Sequence, residues 1–326
     1  MQIFKTPNYD FIRWRWPALA LSLIVIVAGA ALMVSRGGLA LGVDFSGGTI
    51  VVVKFDQVVT EEQVRRAVSG IAADVGVQRY GEPEEHEWLV RLPQTLTVEQ
   101  GASLEQGAVR ITQSLQKAGL PSFEVISTEI VGPVIGADLQ RRGIYATFAS
   151  IIAITLYIAV RFRFSFAVGA IAATLHDVFV TLAFLVFFGY ELSLNIVAAI
   201  LTITGYSVND TIVIFDRVRE NLRSMRRDAL DHVVNVSVNQ TLARTVITAG
   251  TTFLAVLSLY LFGGEVLRGF AFTMLVGIVS GTYSTVFIAS AIAIILSQRR
   301  RAATAAAAAP RTEARPGRKA RGARAS

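Results

Sequence analysis

The stretch LNIVAAILTITGYSVNDTIVIF, residues 194–215, decides how the rest of the chain is interpreted. It is long and apolar enough to cross about 30 Å of hydrocarbon as a helix, yet it carries Asp210. The stretch LARTVITAGTTFLAVLSLYLF, residues 242–262, is a second such segment and carries Arg244. A charge at membrane depth costs at least about 2.5 kcal/mol on insertion scales, so it is a functional hypothesis by default. The pair therefore predicts an intramembrane site.

The composition of the whole chain places it among integral membrane proteins. Its 326 residues are 53% hydrophobic and have a mean hydropathy of +0.52. Six segments are long enough to span a bilayer. They are Trp16–Val34, Ile144–Val160, Phe166–Phe188, Leu192–Phe215, Leu242–Phe262 and Phe270–Leu296. The first also resembles a signal peptide, but its apolar run continues past Ala30 to Val34, so we expect an uncleaved anchor.

Positive charges indicate how these spans are oriented. If six helices alternate across the membrane, most arginines near the spans fall on one side, which the positive-inside rule assigns to the cytoplasm. These arginines are Arg13, Arg15, Arg161, Arg163, Arg217, Arg219, Arg223, Arg226, Arg227, Arg299, Arg300 and Arg301. Arg141 and Arg142 are exceptions at the outer end of the second span. We therefore expect both termini in the cytoplasm.

Charge is divided unevenly along the chain. Residues 37–138 contain fourteen acidic and seven basic residues, so this stretch is near −7 while the chain as a whole is +7. The basic excess lies in residues 1–15, the cytoplasmic loops and a tail over residues 298–326. We expect this tail to be disordered and to touch anionic membrane lipids. No groove-reading motif accompanies it, so nucleic acid is not an expected partner. With no cysteine and three histidines, neither a disulfide nor a metal site is expected.

The segment between the first two spans, residues 37–138, has the pattern of a separate α+β domain. Its strands and helices are predicted in the order β-α-β-β-α-β, which is the ferredoxin-like arrangement. The predicted strands are GGTIVVVKF, GVQRY, EWLVRL and FEVISTEIV. Capping boxes at Thr60/Gln63 and Thr97/Gln100 mark the starts of the two helices. The acidic cluster around Pro83 is interpreted as a solvated turn.

The predicted fold class is therefore a multi-pass α-helical membrane protein with one extracytoplasmic domain. The first transmembrane helix occupies residues 16–36, and helices two to six occupy residues 139–297. Polar residues recur in these spans at helical spacing and predict a stripe that faces protein or water rather than lipid. They include Ser207, Asn209, Asp210, Thr241, Arg244, Thr248 and Thr251, with His176 and Asp177 in the third span. Gly277 and Gly281 form a GxxxG packing face in the sixth.

Two interpretations of Asp210 and Arg244 stay open from the residues alone. They are either a buried ion pair that fixes helix register or a proton relay in which Asp210 exchanges a proton. Arginine does not release its proton, so Arg244 is a fixed counter-charge in the second case. Asn209 is expected to orient its neighbours. His176 and Asp177, with Ser207 and Thr248 as polar neighbours, form a secondary relay or link helices.

Five motifs occur in an order that resembles a known family. They are LGVDFSGGTIVVV at 41–53, IVGPVIGADL at 130–139, TGYSVNDTIVIFDRVREN at 204–221, QTLARTVITAGTT at 240–252 and GIVSGTYSTVFIAS at 277–290. Together they are similar to the SecF family of the SecD/SecF proteins, over roughly residues 1–297. The tail lies outside the resemblance.

The resemblance implies a fold, a function and partners. Members of this family form half of an RND-type transporter, completed by a SecD-like half, in the bacterial cytoplasmic (inner) membrane. The complex is associated with the SecYEG channel and uses the proton-motive force to assist late-stage export of preproteins. The implied energy source is the proton gradient, with no other cofactor and no enzymatic activity expected. The implied proton-passage residues map onto Asp210 and Arg244, and the acid of the SecD half matches the position of Asn209.

These expectations lead to a mechanistic hypothesis. Proton flow near Asp210 rocks the outer domain through two linkers, the first with Asp44, Phe45, Gly47 and Gly48 and the second with Gly132 and Pro133. A tight turn into the first strand is the open alternative for Gly47 and Gly48. Two other functions also stay open, a proton-driven exporter of small molecules or lipids and a non-transporting translocon scaffold.

Overall fold

The computed structural model describes residues 7–71, 75–81, 84–93 and 104–308. The elements in chain order are α1 (Arg15–Ser35), α2 (Val43–Ser46), β1 (Gly48–Phe55), α3 (Glu61–Val68), β2 (Gly76–Tyr80), β3 (Glu87–Pro93), α4 (Leu104–Lys117), β4 (Phe123–Val131), α5 (Pro133–Arg161), α6 (Phe164–Phe188), α7 (Leu194–Ser224), α8 (Leu230–Phe262), α9 (Gly264–Ser284), a π-helical segment (Thr285–Ala289) and α10 (Ser290–Ala308). Within the described residues, six helices are long and apolar enough to cross a membrane, which confirms the predicted number.

The two helices that carry Asp210 and Arg244 are longer than their apolar runs. Helix α7 continues past Phe215 to Ser224, and α8 begins at Leu230 rather than at residue 242. Arg244 therefore lies near the middle of α8, although it falls at the start of the apolar run that begins at residue 242, because both helices continue through polar turns beyond their apolar runs. Both charged residues lie at a similar distance from the connection at 225–229.

Small residues let the helices of the bundle approach closely. A Cβ on Gly277 of α9 would collide with Ile203 of α7, and one on Gly281 would lie 3.0 Å from the Cβ of Ser207. The predicted GxxxG face therefore packs α9 against α7. Gly29 on α1 is in similarly close contact with Ala183 on α6. These contacts bring the polar residues of α6, α7 and α9 within hydrogen-bonding range.

The outer domain has the predicted ferredoxin-like topology. Its four strands form one sheet in the order β2-β3-β1-β4, with every neighbouring pair antiparallel. Its core includes Trp88, Phe55 and Ile111, all 2% exposed or less, because alternate strand residues face the helices. The Thr60/Gln63 capping box is confirmed. The Thr97/Gln100 box and Pro83 lie outside the described residues.

Linker residues fasten this domain to the outer end of α7. Asp44 Oδ2 accepts a hydrogen bond of 2.8 Å from the backbone N–H of Leu194, and Gly42 and Leu192 form a backbone hydrogen bond of 2.7 Å. Arg91 of β3 donates to the Leu41 carbonyl at 2.7 Å and pairs with Glu191 at 2.5 Å. The outer domain is therefore docked on the loop that precedes α7.

The predicted hinge residues lie at the same junction. Gly47 and Gly48 have φ values of 68° and 133°, which suits the tight turn into β1 that was left open as an alternative. Gly132 caps the start of α5, and Pro133 is the first residue of that helix. A Cβ on Gly136 of α5 would lie 3.2 Å from the Phe45 carbonyl oxygen, so both linkers pack together.

The last helix extends into the predicted tail. Helix α10 runs to Ala308, so the expectation of disorder from residue 298 is wrong for residues 298–308. The physical reason is the alanine-rich sequence, since alanine has the highest intrinsic helix propensity. Residues 309–326 lie outside the described part of the chain.

Candidate functional site

Asp210 lies in the interface between α7 and α8. Its Oδ1 accepts a hydrogen bond of 2.8 Å from the hydroxyl of Thr245. Its Oδ2 is buried and, among the described residues, has no hydrogen-bonding partner. One carboxylate oxygen is thus held by the neighbouring helix, while the other is free to take up a proton or a new donor.

Arg244 does not form an ion pair with Asp210. No charged group of the described residues lies within 4.0 Å of the Asp210 carboxylate, and the Arg244 side chain is exposed. The ion-pair interpretation is therefore wrong in its direct form, because consecutive residues on a helix point about 100° apart and the contact falls to Thr245 instead.

Thr245 is a site residue that sequence reasoning missed. The signal was present as a second run, Thr241, Thr245, Thr248 and Thr252, spaced four, three and four residues apart. Thr241 and Thr245 are both buried, and Thr245 contacts α7 through Asp210. Thr248 also donates to the Arg244 carbonyl at 2.9 Å, and among the described residues it makes no hydrogen bond to a carboxylate.

An exposed polar face continues from this site. Asn209, Arg244, Thr248 and Thr251 are all exposed, although they lie in the middle of membrane-length helices. These four members of the predicted stripe therefore face outward from the six-helix bundle, whereas Ser207 and Thr241 are buried in it. Since an uncovered arginine at this depth is costly in lipid, the face requires cover by protein or water.

A second acidic centre lies between α6, α7 and α9. Asp177 of α6 is 1% exposed and accepts four hydrogen bonds. His176 Nδ1 and the Ser280 hydroxyl lie 3.0 Å and 2.7 Å from Oδ1, while the hydroxyls of Ser207 and Ser284 lie 2.5 Å and 2.7 Å from Oδ2. Asp177 thus links α6, α7 and α9, as one of its two interpretations predicted.

Ser207 and Asp210 contact different neighbouring helices. The sequence placed both on one stripe, but Ser207 faces α6 and α9 while Asp210 faces α8. Ser280 and Ser284 were not predicted as site residues, although their spacing of four places them on one face of a helix. The proton-relay interpretation of His176 and Asp177 stays a prediction.

Comparisons with known proteins agree with this architecture. Residues 110–299 match the family model described as "Protein export membrane protein SecD/SecF, C-terminal", and residues 35–57 match the SecD/SecF GG motif. The chain is 41% identical to the protein translocase subunit SecF of Desulfurispirillum indicum over 87% of this chain and 90% of that protein. It is 38% identical to the SecF of Escherichia coli O157:H7, over 90% and 89% respectively.

Solved structures show the same fold. The crystal structure of SecDF from Thermus thermophilus, described as a translocon-associated membrane protein, superposes with a TM-score of 0.79 and 33% identity over 90% of this chain. A SecDF structure in a super-membrane-facing form gives a TM-score of 0.69 and 34% identity. The chain spans only 39% and 41% of those SecDF chains.

Proposed function

This chain belongs to the SecF family of protein translocase subunits, and we propose that it couples the proton-motive force to late-stage protein export through Asp210. The observation that carries the proposal is the carboxyl group held on one oxygen by Thr245 and left without a partner on the other. Such a group changes its charge with little rearrangement, because Oδ2 has no existing hydrogen bond to lose. The fixed charge of Arg244 offsets the negative state.

The energy of the gradient is of the right size for this role. One elementary charge that crosses 100 mV releases about 2.3 kcal/mol. Differences of that size shift the populations of two conformations that differ by a few kcal/mol. Charge changes at Asp210 act directly on the α7–α8 interface, since Thr245 is the bridging residue.

The outward polar face supports a SecD-like second half as the partner. Asn209, Arg244 and Thr251 need cover at membrane depth, and the related SecDF chains are more than twice as long as this chain. We expect the second half to contribute its own acid beside Asn209. The SecYEG channel and an exported preprotein complete the proposed assembly, in the cytoplasmic (inner) membrane with both termini in the cytoplasm.

The outer domain is proposed as the part that moves. It joins the bundle where Asp44 caps α7, the helix that carries Asp210. A shift of α7 is thereby transmitted to β1 through Phe45, Gly47 and Gly48. The second linker, at Gly132 and Pro133, packs against the first and would follow it.

Export in inverted membrane vesicles tests the proton role. Asp210→Asn should remove the gradient-dependent part of late translocation, because an amide does not exchange a proton. Asp216→Asn, which changes an acid one and a half turns further along α7 that pairs with Arg161, is the matched control and should keep it. Gradient-dependent export that persists in assembled Asp210→Asn complexes would exclude the proposal.

A further inference from the structure

The Asp177 carboxylate accepts more hydrogen bonds than a structural link between helices requires. Each carboxylate oxygen accepts two hydrogen bonds, so the ionised form is fully solvated by protein donors although the side chain is 1% exposed. For His176 Nδ1 to donate to Oδ1, that nitrogen must carry its hydrogen. Any proton that His176 gains or loses is therefore carried on Nε2.

Nε2 of His176 is poised for such an exchange. It is buried and has no hydrogen-bonding partner among the described residues. The imidazole lines a groove of about 430 Å³ between α1, α6, α8 and α9, whose polar lining residues are Ser22, Ser280 and Tyr283. The Tyr283 ring stacks on the imidazole with centroids 6.1 Å apart. A structural crosslink alone gives no use to this buried, unpartnered nitrogen.

Electrostatics favour a bound proton at this centre. A lone carboxylate at mid-membrane is costly, whereas a carboxylate beside an imidazolium has no net charge. We propose that His176 and Asp177 form a second proton-binding site, which takes up one proton on His176 Nε2 and communicates with Asp210 through Ser207. The loaded state is an imidazolium–carboxylate pair, and release of the Nε2 proton leaves a neutral imidazole and an ionised carboxylate.

Helix α7 provides the physical connection between the two acids. Ser207 donates to Asp177, and Asp210, about one turn further along the same helix and about 60° around it, accepts from Thr245 of α8. When His176 loses its Nε2 proton, the charge of Asp177 is no longer neutralised. The hydrogen bonds that Asp177 accepts from Ser207, Ser280 and Ser284 then become stronger. Because one of these is on α7 and two are on α9, the charge state of the centre changes how these helices pack.

An irregular segment of the sixth span adjoins the centre. The π-helical turn begins at Thr285, directly after Ser284, and the Thr285 hydroxyl lies 3.0 Å from that of Thr211 on α7. Single π-helical turns inside α-helices frequently occur at functional sites. The turn supplies a place where α9 can adjust when Ser284 responds to the charge on Asp177.

Among the described residues, few other ionisable groups lie near the centre. Tyr283 of α9 stacks on His176, and Asp210 lies about one turn along α7 from Ser207. Helix α1 presents Ser22, and α8 contributes Phe253 to the groove.

Solid-state NMR of histidine-labelled complex in lipid bilayers tests proton binding directly. The difference between spectra of the native complex and of a His176→Gln complex isolates the His176 signal. We expect that signal to pass from imidazolium to the Nδ1-protonated neutral form as pH rises. In Asp177→Asn it should show no imidazolium at any pH at which the complex stays folded.

Ser280→Ala separates proton binding from mere helix linking. It removes one donor but no proton-binding group, so it should lower thermal stability while the imidazolium signal of His176 remains. A His176 signal that keeps one charge state across the pH range of the folded native complex would overturn the proposal. The use of the His176–Asp177 site in export rests on the proposed function, whereas the NMR measurement of proton binding does not. If His176 keeps one charge state while Asp210→Asn abolishes gradient-dependent export, only the second proton-binding site is excluded.

Discussion

Thr245 holds one oxygen of the Asp210 carboxylate, and that hydrogen bond predicts a graded effect of mutation. A hydrogen bond to a charged group contributes about 1.5–3 kcal/mol, so Thr245→Val should weaken the α7–α8 interface and reduce gradient-dependent export. Thr245→Ser keeps the hydroxyl, so it should retain both the stability of the α7–α8 interface and the gradient-dependent export. Thermal unfolding and vesicle export measured on the two variants check this. Equal behaviour of the valine and serine variants would mean that the hydroxyl has no role.

Residue-scale sequence reasoning found the charges but not their contacts. Asp210, Arg244 and Asp177 stand out because a charge at membrane depth is costly, and that cost is visible in any apolar segment. Which residue touches Asp210 depends on the rotation of α8, which a spacing pattern alone does not fix. The spacing pattern therefore points to Arg244 rather than to its neighbour Thr245, whereas it groups Ser207 with His176 and Asp177, where the structure has it.

At the scale of elements, close helix packing predicts which glycines tolerate a side chain. A methyl group on Gly277 would collide with Ile203, and overpacking of this kind costs about 1–3 kcal/mol. Gly277→Ala should therefore lower the thermal unfolding temperature of the purified protein. Gly250→Ala on α8 meets nothing within 4 Å and is the matched control. An unchanged unfolding temperature for Gly277→Ala would contradict this packing of α7 against α9.

The junction between the outer domain and α7 gives a second prediction at this scale. Arg91→Ala removes the contacts to Glu191 and Leu41, so the linker should open more often. Hydrogen–deuterium exchange should rise at the backbone amides of Gly42 and Leu192. Lys54→Ala, which breaks a salt bridge within the domain, should leave those amides unchanged. Equal exchange in both variants would show that Arg91 does not hold the junction.

The elements themselves were largely predictable, except at their ends. Apolar runs located all six spans, and strand and capping patterns gave the topology of the outer domain. The helix ends at Ser224 and Leu230 were missed because polar turns continue a helix without adding hydropathy. The docking of Asp44 on Leu194 was not predictable either, since it joins residues far apart in sequence.

At the scale of the whole molecule, the outward polar face predicts where a second half assembles. Exposed Arg244 and Thr251 lie on α8 at membrane depth, whereas the exposed Leu156 of α5 is an apolar side chain that we expect to contact lipid. Because the chain has no cysteine, spin labels at Thr251→Cys and Leu156→Cys report these two faces separately. Oxygen, which concentrates in lipid, should reach both labels when the chain is reconstituted alone.

Assembly with a SecD-like half should then protect one label and not the other. The partner excludes oxygen from Thr251→Cys because it covers the polar face, while Leu156→Cys keeps its lipid contact. Continued access of oxygen to Thr251→Cys in the purified complex would place the partner elsewhere on the bundle. The same complex carrying Arg244→Gln should assemble less well if the arginine charge is used across the interface, and the yield of co-purified partner measures that contribution.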